Sequence, residues 1–146
     1  MSEQPPVSRA LRIYRRVVTV GLVLYWLMMM TATHVPDVPK EFDTGVGDKT
    51  EHKVAYCLFG LGLGVVWSAW RGPLRWPVAI GLLGIAALYG AIDENTQPFF
   101  GRDCDLYDWF ADLQGGAVGV AISLVYDWIV RKSRLFDPRR SPVDPK

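Results

Sequence analysis

Three long stretches of the sequence lack Asp, Glu, Lys and Arg altogether: residues 17–36, 54–70 and 76–92. Each is close to the roughly 20 apolar residues that a helix needs to cross about 30 Å of hydrocarbon. A soluble helical protein would instead carry a charged stripe along every helix. The absence of charge therefore excludes an ordinary soluble bundle and predicts membrane-spanning helices.

Cysteine and histidine are also scarce, with two of each in 146 residues. Cys57 lies in a predicted membrane helix and Cys104 in a loop, so a disulfide would have to join different depths of the membrane. No metal-binding spacing connects them, and we expect free thiols. The sequence also lacks internal repeats and a basic patch suited to nucleic acid, so nucleic acid is not an expected partner. It contains no indication of oligomeric state.

A weaker fourth span covers residues 113–126 and lengthens if Asp127 is tolerated near its end. Twelve of the sixteen Lys and Arg residues lie before the first span, between the second and third, or after the fourth. Such residues mark the cytoplasmic side. The sequence thus predicts an all-α, four-transmembrane-helix bundle with both termini cytoplasmic, in a cell membrane such as the bacterial cytoplasmic membrane. A cleaved signal peptide is disfavoured by the long first apolar run.

We expect one domain, residues 9–136, between polar, proline-rich tails at 1–8 and 137–146 that are predicted to be disordered. Helix two is predicted to begin at Asp48 and helix four around Asp105. Helix three should end near Gln97, because Pro98 disfavours helix in the preceding residue. Small residues at a spacing of four allow helix backbones to approach closely. Two such pairs are Gly60 with Gly64 and Gly115 with Gly119.

Polar and ionisable residues collect at the predicted outer ends of the helices. Ionisable groups in or near a bilayer are costly, so their accumulation indicates a functional site. Helices two and four begin at this face, and the positive ends of their dipoles favour an anion such as phosphate. The candidate site residues are His34, Asp48, Lys49, His52, Tyr56, Glu94, Gln97, Arg102, Asp108 and Asp112.

Structural roles explain part of this set. Two acidic pairs have the spacing of helix caps, and Glu94 with Gln97 fits a solvated helix end. Asp112 is harder to explain, because an acid within an apolar run needs a partner. His52 and Arg102 are the candidates for that partner. The cap-like pairs are Asp48 with Glu51 and Asp105 with Asp108.

Three segments in order resemble the VanZ family of small multi-pass membrane proteins. That family's signature combines a DKxxHxxxY segment, a DExxQ segment, and an Arg followed by DxxxN or DxxxD and glycines. The matching segments here are 48–56, 89–97 and 101–119, and Thr33-His34-Val35-Pro36 resembles a short motif after the family's first helix. Asp112 departs from the pattern, since many members carry Asn there, and it adds a negative charge.

The resemblance implies a protein of the cell envelope that acts on lipid head groups, either of phospholipids or of lipid-linked precursors. The family is named for a protein linked to resistance to the glycopeptide teicoplanin, so the resemblance also implies a connection with antibiotic resistance. The partner that it implies is a membrane lipid.

The residues and the resemblance together suggest an enzyme that transfers, exchanges or hydrolyses the head group of an anionic or polyprenyl lipid. Arg102 and Lys49 would hold phosphate oxygens. His52, oriented by Asp48 or Asp112, would be the general acid or base.

The remaining candidates complete this hypothesis. Glu94 would be a second acid/base group, Gln97 would orient the head group, and Tyr56 and His34 would be further substrate contacts. A divalent cation such as Mg²⁺ is a candidate cofactor, although the tandem DxxDGxxAR pattern of CDP-alcohol phosphotransferases is absent. The alternative is a non-catalytic membrane module that binds a lipid precursor or a glycopeptide-type drug. The metal ligands would be Glu94, Asp108 and Asp112.

Overall fold

The protein was analysed as a computed structural model, which describes residues 8–35, 45 and 47–132. This part of the chain is all-helical, as predicted. Each of its four long helices is long and apolar enough to cross a membrane, so the fold is that of a multi-pass membrane protein. The predicted tails lie outside the described residues, apart from Ser8. The helices are α1 (Arg9–Thr33), α2 (Asp48–Arg71), α3 (Trp76–Thr96) and α4 (Leu106–Lys132), with a 3₁₀ turn at Gln97–Phe100.

The helices alternate in direction, which gives the bundle two chemically different ends. At one end, α1 and α3 begin and α2 and α4 finish; it carries Arg15, Arg71 and Arg131, and we call it the arginine-rich end. The opposite end carries most of the carboxylates and is called the acidic end. Cytoplasmic placement of the arginine-rich end stays a prediction from the positive-inside rule.

Helix boundaries follow local sequence signals with one exception. α3 ends at Thr96, and Pro98 lies in the 3₁₀ turn that follows. The side chain of Asp105 caps α4, because its Oδ1 accepts a hydrogen bond from the backbone N–H of Tyr107 at 2.8 Å. The prediction that Asp48 caps α2 is wrong. The N-cap residue is Gly47, which has no side chain that could accept a hydrogen bond.

α4 is much longer than the 14 apolar residues suggested by its hydropathy. Its 27 residues include three aspartates, all of them buried: Asp108, Asp112 and Asp127. Asp127 accepts hydrogen bonds from Arg131 Nε at 2.9 Å, from the backbone N–H of Leu74 at 3.2 Å and from the hydroxyl of Ser68. Because each of these aspartates has partners inside the protein, the helix continues past them.

α2 and α4 are the most closely packed pair of helices in the bundle, as the glycine spacing predicts. A Cβ built on Gly60 would lie 2.6 Å from the carbonyl oxygen of Gly116, and one built on Gly115 or Gly119 would overlap a backbone carbonyl of α2. Only glycine permits this approach. The two helices that carry His52 and Asp112 are thereby held backbone to backbone. Both cysteines are free, as expected.

Candidate functional site

The centre of the acidic end is a buried histidine–aspartate pair. His52 Nδ1 lies 2.8 Å from Asp112 Oδ1, with side chains 5% and 0% exposed, and 3.9 Å from Glu94 Oε1. Of the two partners proposed for Asp112 from the sequence, the structure pairs it with His52. The close packing of α2 on α4 places these two side chains opposite each other. One proton shared with a carboxylate fixes the orientation of the imidazole ring.

Glu94 and Gln97 form a hydrogen-bonded pair next to His52. Gln97 Nε2 donates to Glu94 Oε1 at 3.1 Å, and the backbone N–H of Asp105 donates to Glu94 Oε2 at 3.1 Å. Both side chains are buried, so the alternative of a solvated helix end is wrong. Gln97 orients Glu94, and Glu94 in turn connects α3 to the start of α4.

The two predicted phosphate ligands have different surroundings. Lys49 Nζ lies 2.8 Å from both Asp105 Oδ2 and Asp108 Oδ1, so two carboxylates already neutralise its charge. The same ammonium group holds the pKa of Asp105 below its ordinary value. Arg102 makes one longer contact, 3.5 Å from Nη2 to Asp48 Oδ1. Arg102 is therefore the cation that is better placed to contact a ligand.

A small cavity opens beside the histidine–aspartate pair. His52, Asp48 and Arg102 line it together with Thr33 and Glu51, and its volume is about 140 Å³. It lies between the last turns of α1 and the first turns of α2, at the acidic end. This volume accommodates a small polar group but not a whole lipid. The cavity therefore brings together an imidazole, a guanidinium and a carboxylate at the end of the bundle.

His34 lies in a different place from the other predicted site residues. Its Nδ1 is 2.8 Å from the carbonyl oxygen of Met30, and its Nε2 is 2.9 Å from Thr96 Oγ1. It lines an open groove of about 720 Å³ between α1 and α3. A substrate would have to reach both regions for His34 and His52 to contact it together.

Asp93 is a buried site residue to which the sequence analysis assigned no role. Its Oδ1 accepts a hydrogen bond from Thr33 Oγ1 at 3.0 Å and lies 3.4 Å from the hydroxyl of Tyr89. It also lines the groove that contains His34. The available signal was a second acid, next to Glu94, within an otherwise apolar helix.

Three fully buried polar atoms have no hydrogen-bond partner among the described residues: the hydroxyl of Tyr56 and the Oδ2 atoms of Asp93 and Asp112. Tyr56 connects the two regions, since its ring stacks on that of Tyr89 with centroids 6.0 Å apart. Most buried polar groups in proteins are hydrogen-bonded. Three exceptions on neighbouring helices mark the place where an additional polar group is best accommodated.

The described residues offer two groups of metal-ligating atoms, each within a 4.8 Å span. One consists of His52, Glu94 and Asp112 and is wholly buried; the other consists of Asp48, His52 and Asp108. Both combine one imidazole nitrogen with two carboxylate oxygens, a set that suits Zn²⁺ or Mn²⁺ better than the all-oxygen preference of Mg²⁺. His52 takes part in both groups, whereas the set expected from the sequence contained only carboxylates.

Comparison of the chain with models of protein families, with curated proteins and with solved structures finds no match. The class that the fold defines is a four-helix, multi-pass membrane protein.

Proposed function

We propose that the protein is a VanZ-like membrane enzyme that acts on the head group of a phospholipid or a lipid-linked envelope precursor at the extracytoplasmic face. The observation that supports this most is the buried His52–Asp112 pair, whose atoms are 2.8 Å apart. Transfer or hydrolysis of a head group requires a proton to leave the attacking hydroxyl. A histidine oriented by a carboxylate is a common general base for such a step.

In this proposal each residue has a distinct task. Asp112 accepts a hydrogen bond from the Nδ1–H of His52, which leaves Nε2 as the basic nitrogen for a hydroxyl in the adjoining cavity. Arg102 lines the same cavity and would hold phosphate oxygens through its planar guanidinium. Glu94, 3.9 Å from His52, would stabilise the imidazolium that forms.

The charge balance of the acidic end bears on whether a metal takes part. Carboxylates outnumber permanent cations there, so an anionic phosphate would be repelled unless further positive charge were supplied. A divalent cation held by His52, Glu94 and Asp112 would supply it, and His52 would then act as a ligand and not as the base. In the described residues of this end the carboxylates are Asp48, Glu51, Asp93, Glu94, Asp103, Asp105, Asp108 and Asp112, and the cations are Lys49, Lys53 and Arg102.

The second candidate is a module that binds a lipid precursor or a glycopeptide-type drug without turnover. The observation in its favour is that several polar groups of the site already satisfy one another. Lys49 contacts two carboxylates, and Glu94 is held by Gln97 and a backbone N–H. Side chains that already satisfy one another are held in place and are less available for proton transfer, which favours a role without turnover.

The test is an assay of the purified full-length protein in nanodiscs with labelled phospholipids and lipid-linked precursors. Product formation supports the enzyme, whereas saturable binding without product supports the module. A chelator distinguishes the metal-dependent mechanism from the one in which His52 is the general base. It abolishes turnover in the first and has no effect in the second.

His52→Ala is the decisive variant. It is expected to lower turnover per folded molecule about 10²- to 10⁴-fold, since that is the usual contribution of a proton-transfer group. Asp103→Asn is the matched control, because Asp103 is an exposed carboxylate at the same end and should leave turnover unchanged. Full activity of His52→Ala, normalised to folded protein, would reject both catalytic versions.

A further inference from the structure

A second polar cavity lies at the arginine-rich end, opposite the candidate site. Its volume is about 230 Å³, and residues of α1, α2 and α4 line it. The polar lining residues are Tyr14, Arg15, Ser68, Tyr126, Asp127 and Arg131. This cavity contributes nothing to the proposed head-group chemistry, so its role is a separate question.

The acidic group of this cavity is already neutralised. Arg131 Nε lies 2.9 and 3.0 Å from the two carboxylate oxygens of Asp127, and Arg131 Nη2 reaches the hydroxyl of Ser68 at 3.3 Å. Asp127 also accepts the backbone N–H of Leu74. This network ties α4 to the end of α2 and to the following loop, and it leaves no net negative charge in the cavity.

The other arginine that lines this cavity, Arg15, has no carboxylate partner among the described residues. Its Nε donates to the carbonyl oxygen of Ala69 at 2.8 Å, and its guanidinium lies 5.2 Å from the centroid of the Trp70 ring. These two contacts hold the half-buried side chain against the cavity wall. Among the described residues no carboxylate pairs with Arg15, and its two Nη groups have no hydrogen-bond partner there. A positioned guanidinium with free Nη donors is suited to the oxygens of a phosphate.

The position of the cavity indicates where that phosphate comes from. Trp76 and Trp128 have side chains 73% and 61% exposed at the same end of the bundle, and exposed tryptophans at helix ends mark the membrane–water interface. Lipid phosphates lie at that depth, and basic residues next to a span attract anionic lipids. The hydroxyls of Tyr14 and Tyr126, 3.2 Å apart, add hydrogen-bonding groups beside Arg15.

We propose that this cavity binds the phosphate group of an anionic phospholipid, with Arg15 as the principal ligand. Arg131 contributes positive charge at the rim while remaining paired with Asp127. The bound lipid would contact α1, α2 and α4 together, at the end of the bundle opposite the acidic end. The proposal does not depend on the function of the acidic end.

The experiment is a titration of the detergent-purified full-length protein with phosphatidylglycerol, phosphatidylcholine and, separately, inorganic phosphate, read by native mass spectrometry as retained adducts. Arg15→Gln is expected to weaken retention of phosphatidylglycerol about tenfold, the effect of losing one charge-assisted hydrogen bond. Arg15→Lys should retain part of it, because the charge remains. Arg16→Gln is the matched control: Arg16 is the next residue on α1, is exposed and does not line the cavity.

Each outcome decides the proposal. The proposal is supported if Arg15→Gln loses retention of phosphatidylglycerol while Arg16→Gln retains it like the wild type. It is overturned if both variants lose retention equally, since general surface charge would then explain the binding, or if neither variant loses it. Saturable uptake of inorganic phosphate with no response to phosphatidylglycerol would overturn the lipid assignment. If Arg15→Gln fails to fold, Tyr126→Phe decides, because it removes a cavity hydroxyl without changing charge and should weaken retention a few-fold.

Discussion

The contact between α2 and α4 can be tested by adding a single methyl group to Gly119. The built Cβ would overlap the carbonyl oxygen of Cys57 and lie 2.7 Å from the backbone N of Leu61. Both atoms belong to the backbone of α2, so no side chain can rotate away and the two helices must separate. We expect Gly119→Ala to destabilise the protein.

The magnitude follows from comparison with a glycine that contacts nothing. A Cβ at Gly84, on α3, would meet no atom within 4 Å. Both substitutions replace a helix-interior glycine by alanine, so the gain in helix propensity of about 1 kcal/mol cancels between them. The remaining difference is the overpacking penalty, typically about 1–3 kcal/mol. Gly119→Ala should be less stable than Gly84→Ala by that amount.

The measurement is thermal or denaturant unfolding of both variants in the same detergent, followed by circular dichroism. α2 carries His52 and α4 carries Asp112. Separation of the two helices should therefore also lengthen the 2.8 Å distance between His52 Nδ1 and Asp112 Oδ1 and lower turnover in the nanodisc assay. Equal stability of the two variants would show that α2 and α4 do not touch at Gly119. The packing that positions the candidate site would then be wrong.

Three further perturbations address single interactions. Arg102→Lys keeps the charge but loses the planar fork, so steady-state kinetics on a phosphate-bearing lipid should show KM rising more than kcat falls; equal effects would contradict the phosphate role. Asp127→Ala removes the acceptor of several hydrogen bonds and should lower the free energy of unfolding by at least about 1.5–3 kcal/mol, the contribution of one hydrogen bond to a charged group; an unchanged unfolding midpoint would reject its role in joining α4 to α2. Lys49 holds the pKa of Asp105 below its ordinary value, so this pair stabilises the fold above the ordinary pKa and the contribution is lost as the pH falls through the lowered one. Lys49→Gln should therefore flatten the pH dependence of the melting temperature below about pH 4, and an unchanged slope would contradict that coupling.

Local features of the sequence were sufficient to predict the helices. Charge-free runs and their basic flanks indicated four spans, and Pro98 and Asp105 marked the end of α3 and the start of α4. Helix four was predicted to begin around Asp105 and to lengthen past its 14-residue apolar run if Asp127 is tolerated. α4 does continue through Asp127, because this buried aspartate is paired with Arg131. The cap assigned to Asp48 was wrong by one residue. Gly47 occupies the N-cap position, and Asp48 is the first residue of α2.

Sequence by itself also determined at which end of the bundle each candidate side chain lies, since that follows from its position along a helix. It did not determine which side chains face one another, because that depends on the rotation of each helix about its axis and on the distance between axes. The glycine contacts of α2 with α4 decided both, and they paired Asp112 with His52 where Arg102 was an equal candidate. Tertiary packing alone likewise directed Lys49 to two carboxylates, placed His34 in the groove between α1 and α3, and left Arg15 at the opposite end without a carboxylate partner among the described residues.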